Sequence, residues 1–192
     1  MIEAELKVRV HDAESLNARL RRLGEPELST YEDTYYDRPD GSLDADDREL
    51  RIRTITTGQT SKTVLTYKEP ALADSGSKPE YELEISDAAA LAHIVSALGY
   101  PPSTRLTKHC TNFRFGHEGR QVLATIVQVP EVDGTFMEVE MMVEEKDLAA
   151  ALGSLHSLLA DLRECDLTDE KYTDAVATAR GTRVTPALTP LL

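Results

Sequence analysis

Ile2-Glu3-Ala4-Glu5-Leu6-Lys7-Val8-Arg9-Val10 alternates throughout, with Ile2, Ala4, Leu6, Val8 and Val10 on one face and Glu3, Glu5, Lys7 and Arg9 on the other. Successive side chains of an extended chain point to opposite faces, so this is the period-two signature of a strand with one apolar side. Downstream, Asp12 is placed to cap a helix carrying Leu16, Leu20 and Leu23, ending at Gly24. Further strands are expected at Thr30–Tyr36, Glu49–Thr56, Val64–Lys68, Glu80–Ile85, Leu106–Phe115, Val122–Val127 and Thr135–Val143. Arg38-Pro39-Asp40-Gly41 reads as a turn, and Leu72–Lys78 as a Ser/Gly-containing loop. Helices are expected after the Asp87 cap, over Lys146–Leu162, and from near Thr168 through Tyr172 and Val176. Many strands with a few amphipathic helices give an α+β fold with an antiparallel sheet. Closing that sheet into a barrel would remove its edges.

The chain has 192 residues, enough for one domain, which we place at residues 1–180, with a mobile, proline-containing tail over 181–192. A net charge of −13 argues against nucleic acid as a partner, because a phosphate backbone needs a basic footprint. No apolar run approaches bilayer-spanning length, and the acidic start Met1-Ile2-Glu3 does not resemble a signal peptide. No membrane partner is therefore expected, and the expected compartment is cytoplasmic. Cys110 and Cys165 lie in no CxxC pair and read as reduced thiols. A homodimer is compatible with the sequence.

The polar faces of the strands are segregated by sign. Glu3 and Glu5 precede Lys7; Arg51 and Arg53 flank Ile52; Lys68 ends its strand; Glu80, Glu82 and Glu84 alternate with Tyr81 and Leu83. Lys108 and Arg114 share one parity, and Glu138 and Glu140 another strand face. A water-facing sheet more usually interleaves charges, because like charges on neighbouring strands repel. Carboxylates spaced two apart become useful around a hard divalent cation, which prefers oxygen ligands. If helices cover the apolar faces from outside, the charged faces line an interior suited to a polyanion.

These elements, in order, resemble the CYTH superfamily, the triphosphate tunnel metalloenzymes that include class IV adenylyl cyclases, thiamine triphosphatases and inorganic triphosphatases. Glu3-Ala4-Glu5-Leu6-Lys7 is similar to the family's ExExK signature, Asp33-Thr34-Tyr35-Tyr36-Asp37 to its second strand, and Leu50-Arg51-Ile52-Arg53 to its paired arginines. Leu65-Thr66-Tyr67-Lys68 resembles the strand-end lysine, Lys78-Pro79-Glu80-Tyr81-Glu82 an RxExE element, Phe136-Met137-Glu138-Val139-Glu140 the late acidic pair, and Lys171-Tyr172 the closing element. The resemblance runs from Met1 to about Val176.

It implies an eight-stranded antiparallel tunnel that holds a small-molecule triphosphate with one or two Mg²⁺ or Mn²⁺ ions. Glu3, Glu5, Glu138 and Glu140 match metal-binding positions. Lys7, Arg51, Arg53, Lys68, Lys108, Arg114 and Lys171 match triphosphate-binding positions, and Glu80 and Glu82 match catalytic acidic positions. Gln128 stands where many members carry an aspartate, and His109-Cys110 follows Lys108 where many carry an arginine. The implied activity is a metal-dependent triphosphatase, with adenylate cyclase and a non-catalytic polyphosphate or nucleotide sensor as alternatives. Class IV cyclases carry a His-Phe pair just before ExExK; this sequence begins two residues before Glu3, which favours hydrolysis.

Overall fold

The computed structural model describes residues 1–72, 76–164 and 166–181; the expected tail beyond 181, Cys165 and the centre of the 72–78 loop lie outside the described residues. Eight antiparallel strands close into a barrel: β1 (Ile2–Val10), β2 (Pro26–Tyr36), β3 (Glu49–Thr57), β4 (Thr60–Lys68), β5 (Lys78–Ile85), β6 (Pro102–His117), β7 (Arg120–Gln128) and β8 (Thr135–Val143). Around the barrel the order is β1-β5-β4-β3-β2-β6-β7-β8. Among the described residues five α-helices decorate it: α1 (Ala13–Leu20), α2 (Ser42–Ala45), α3 (Ala88–Ala97), α4 (Leu148–Asp161) and α5 (Tyr172–Ala179). No helix among the described residues is long and apolar enough to cross a membrane.

The alternation in β1 orders the two faces. Ala4 and Val8 point outward into a core with Leu16 and Leu20 of α1, Leu155 and Leu159 of α4, and Phe113, Met137 and Val139 of the neighbouring strands. Burying such side chains fully is worth about 1.5–3 kcal/mol each, which holds the helices on the outside. A smaller core seats α3 through Val95 on Tyr36 and Ile52. Asp12 and Asp87 cap their helices as expected, accepting from Ser15 N–H at 2.9 Å and Ala90 N–H at 2.9 Å.

Several strands run longer than their alternation indicated, notably β6 and the start of β4. The short helix α2 was not anticipated. It forms because Asp37, at the end of β2, accepts from the backbone N–H groups of Leu43 and Asp44 at 2.9 and 3.1 Å. The last expected helix begins at Tyr172 rather than near Thr168. Residues 166–168 instead run beside β1: Arg9 N–H donates to Asp166 O, and Thr168 N–H to Lys7 O, each at 2.9 Å.

Closure is uneven. β1 pairs with β8 along its whole length, from Ile2↔Val143 to Val10↔Thr135. It meets β5 only at Ile2↔Pro79 and Glu3↔Lys78. The rest of β5 therefore runs on past the N-terminus, with Tyr81 and Leu83 exposed.

Candidate active site

The register puts the charged positions singled out on β1, β3, β4, β5, β6 and β8 on the inner face. Glu5 stands opposite Glu140 and Lys7 opposite Glu138; Arg53 stands opposite Asp33 and Arg51 opposite Tyr35. Lys68 lies across from Glu49 on one side and Glu80 on the other. Lys108 pairs with Tyr31, and Arg114 with Leu123, which itself pairs with Glu140. Partners across an antiparallel ladder share a face. One connected surface thus carries every strand residue that the sequence pointed to.

The acidic side is mounted on β1 and β8. Glu3, Glu5 and Glu140 each present a carboxylate oxygen within 4.8 Å of the others. Burial, followed by the charges of Glu138 and Glu3, raises the Glu5 carboxyl to about 7. Burial and the charges of Glu3, Glu5 and Glu138 likewise lift Glu140 well above the usual range. Glu3 moves the other way: burial would raise it, but the Lys68 charge and hydrogen bond dominate and hold it low. Glu138 stands apart from this trio. Its carboxylate lies 3.6 Å from Lys108 Nζ and against the Tyr172 hydroxyl.

The basic side comes from β3, β4 and β6. Arg53 makes a two-pronged contact with buried Asp33, Nε to Oδ1 at 2.6 Å and Nη2 to Oδ2 at 2.7 Å. That pair opposes the burial of Asp33 strongly enough to keep its carboxyl well below the usual range. The guanidinium also lies 4.6 Å from the centre of the Tyr31 ring. Arg51 is 3.2 Å from Glu49, yet its buried Nε has no hydrogen-bond partner. Lys68 bridges Glu3 and Glu80, the latter at 2.9 Å. Burial, only partly offset by Lys68, brings the Glu80 carboxyl up to about 7.

One end of the barrel is plugged. Tyr172 and Val176 of α5 pack on Leu106, Cys110, Val127 and Phe136. The Tyr172 ring meets Phe136 edge-on at 5.3 Å and lies under Lys108 and Lys7, at 4.1 and 4.8 Å. Lys7 also donates to the Glu170 carbonyl. Lys171 itself turns to the rim of the plugged end, where Nζ donates to Asp44 at 2.8 Å. At the opposite end, Lys62, Glu82, Glu84, Arg114 and Met142 are exposed on the inner face, and this end opens to solvent. Glu82 accepts from Thr66 Oγ1 at 2.8 Å.

Position 128 requires a correction. Gln128 pairs with His109 on the outer face, and its amide donates to Thr135 Oγ1 at 3.3 Å. It leaves no gap in the interior, where β7 contributes Leu123, Thr125 and Val127. His109 is likewise exposed outside, whereas Cys110 faces in, its thiol pushed up to about 12 mainly by burial.

The residues fit a divalent ion. The trio offers only hard carboxylate oxygens, clustered closely enough to share one cation, and burial makes their mutual repulsion costly without one. The orphaned Arg51 Nε beside them suits an anion. Sequence reasoning passed over Asp33, Tyr31, Tyr35 and Asn112 as interior residues. Their parity in β2 and β6 carried the signal, but uncharged or singly charged positions do not stand out from ordinary alternation.

Comparison with known proteins places this arrangement. The model of the CYTH domain matches residues 1–173. A candidate adenylate cyclase of Methanocaldococcus jannaschii is 27% identical over 148 residues, covering 76% of this chain and 79% of that protein. A solved Pyrococcus horikoshii protein superposes with a TM-score of 0.78 at 25% identity, covering 93% of this chain and 99% of that one. A candidate adenylyl cyclase of Hippeastrum, described as having a dominant triphosphatase activity, superposes with a TM-score of 0.60 at 17% identity; 97% of this chain and 98% of that one are covered.

Proposed function

The chain belongs to the CYTH domain family, and from that premise we propose that it is a divalent-metal-dependent triphosphatase acting on a linear triphosphate inside its barrel. The substrate class is inorganic tripolyphosphate, thiamine triphosphate or a nucleoside triphosphate. The observation that carries this reading is the sign segregation of the interior. Carboxylates of β1 and β8 are grouped to share a cation, facing arginines and lysines of β3, β4 and β6.

Glu3, Glu5 and Glu140, with Glu138 nearby, would hold Mg²⁺ or Mn²⁺. When bound, the ion neutralises charge on the phosphate oxygens as the transition state forms. Arg51 supplies its free Nε to a phosphate oxygen, and Asp33 fixes the plane of Arg53 so that its remaining N–H groups face inward. Lys7, Lys68 and Lys108 add charge along the chain, and Arg114 meets it at the open mouth. Glu80 has the affinity for protons that a general base needs near neutrality. It takes a proton from water as that oxygen bonds to the terminal phosphorus. The bond to the bridging oxygen breaks, and the diphosphate leaves. Glu82 supports this step from β5, held by Thr66.

A second reading has support in the M. jannaschii relative: the same clamp serves a cyclase, in which the ribose 3′-hydroxyl attacks the α-phosphorus of ATP and pyrophosphate leaves. Product analysis distinguishes the two. Purified protein with Mg²⁺ or Mn²⁺ is offered tripolyphosphate, thiamine triphosphate and ATP separately. Orthophosphate release is the expected result; cyclic AMP with pyrophosphate would make the protein a cyclase. Tight binding without turnover would make it a sensor.

A further inference from the structure

A second cavity lies outside the barrel, beyond anything the tunnel reading requires. The turn that follows α1 presses directly on β6: a Cβ added at Gly24 would come within 2.8 Å of the Arg114 carbonyl oxygen. α4 ends close by at Leu162, where Arg163 takes a left-handed conformation with φ of 55° and Glu164 N–H returns to Leu159 O at 3.0 Å. Between these two helix ends and the β6–β7 hairpin is a cavity of about 500 Å³. That size falls within the range of roughly 300–1,000 Å³ typical of small-molecule sites.

The floor of this cavity is apolar, made by Leu23, Phe115, Leu158 and Leu162, and its walls carry Arg19, Arg22 and Arg163 beside the His117 imidazole. Arg19 is committed to Ser15 at 2.7 Å and to Glu164 at 2.8 Å. Arg22 and Arg163 form no ion pair within 4.0 Å among the described residues, and Asp161 is the acid lining the cavity. His117 Nε2 is buried without a hydrogen-bond partner. In a chain of net charge −13, two arginines at one cavity with no ion pair among the described residues run against the overall composition. Position 163 sharpens the point. A left-handed residue after a helix is usually glycine, because a side chain there costs about 1 kcal/mol or more. Here the position is an arginine whose side chain lines the cavity.

We propose that this pocket binds a phosphate monoester bearing a compact apolar group. Arg22 and Arg163 match the two charges of the phosphate dianion, and their planar forks suit its oxygens. The leucines and Phe115 take the apolar part. The site is separate from the tunnel and carries no catalytic step.

The test is titration of the whole chain with phenyl phosphate, followed by backbone amide NMR. Saturable shifts at Leu23, Gly116, His117 and Arg163 are expected, with inorganic phosphate binding at least tenfold more weakly. Arg163→Gly removes one cation while relieving the left-handed strain. That variant is expected to unfold at the same or a higher temperature, keep its triphosphate turnover, and bind phenyl phosphate at least tenfold more weakly. Shifts confined to the barrel interior, or no saturable shifts, would overturn the proposal. So would equal binding of inorganic phosphate, or an Arg163→Gly variant that binds as the parent does. Apart from the turnover control, these readouts do not depend on whether the tunnel hydrolyses, cyclises or merely binds a triphosphate.

Discussion

The two halves of the barrel wall are built to different standards. The half formed by β6, β7, β8 and β1 is packed tightly on its outer face, where Phe113, Met137, Val139 and Leu155 have no or almost no solvent exposure. The half formed by β2, β3, β4 and β5 carries α3 on its outside, and on β5 Tyr81 and Leu83 remain 60% and 64% exposed. The acidic trio has two of its members on the thick wall's β1 and the third on β8, strands joined by an unbroken ladder. The basic clamp is shared between the walls: Arg51, Arg53 and Lys68 sit on the thin one, Lys7, Lys108 and Arg114 on the thick one. A group of like charges needs a frame that cannot yield, or the carboxylates would swing apart and lose the geometry that a small cation demands. Arg and Lys side chains are long enough to reach an interior anion from either wall, and where one is held, as Arg53 is, a single partner, Asp33, does it.

The largest effect that would break this contrast is expected at Glu5. Glu5→Gln should lower metal-dependent turnover on the order of a thousandfold, because several kcal/mol of transition-state stabilisation is lost with a ligand. The same variant should be more stable than the parent at pH 8 without metal, since one buried repulsion is gone. Steady-state kinetics and thermal unfolding in chelator check both halves, and unchanged turnover would remove Glu5 from the metal site.

Next come the walls themselves. Leu155→Ala, in the thick wall, should cost about 2–5 kcal/mol on denaturant unfolding. Leu83→Ser, in the thin wall, should cost no more than about 0.5 kcal/mol. Comparable losses at the two sites would mean that the halves are equally packed.

The most graded effect is that of pH. Glu5 and Glu80 have carboxyls raised from 4.5 to about 7 in the folded state. Between those values the folded, metal-free protein binds more protons than the unfolded chain, so stability falls as pH rises, by about 1.4 kcal/mol per pH unit for each group. Glu3 and Asp33 are held low, and their contribution is present at neutral pH and lost only on acidification below the ordinary carboxylate range. Unfolding temperatures measured at pH 5 and pH 7.5 should therefore decline in chelator, and Mg²⁺ should raise them more at the higher pH. A metal effect independent of pH would count against a carboxylate site.

Much of this design was legible in the alternation. β1 reads correctly from end to end, and because parity fixes the face, Glu3, Glu5, Arg51, Lys68 and Glu138 could be placed inside before any fold was known. The same rule could have placed Gln128 outside, since it lies one residue from Val127 and is out of step with Thr125. What alternation could not supply was long-range pairing. That Arg53 is committed to Asp33 depends on the β2–β3 register, and that Lys171 turns to Asp44 depends on how Asp37 winds α2. The plug was legible only as a helix near Tyr172; which end of the barrel it closes is a property of the folded chain.

That plug also imposes an order on traffic. With Tyr172 and Val176 closing one end, the proposed linear triphosphate would enter through the open mouth and advance with its free phosphate leading. Whatever is cleaved from the leading end is then trapped behind the remainder. For a hydrolase this means that the diphosphate departs first and orthophosphate last. The vessel empties in the reverse of the sequence in which it filled.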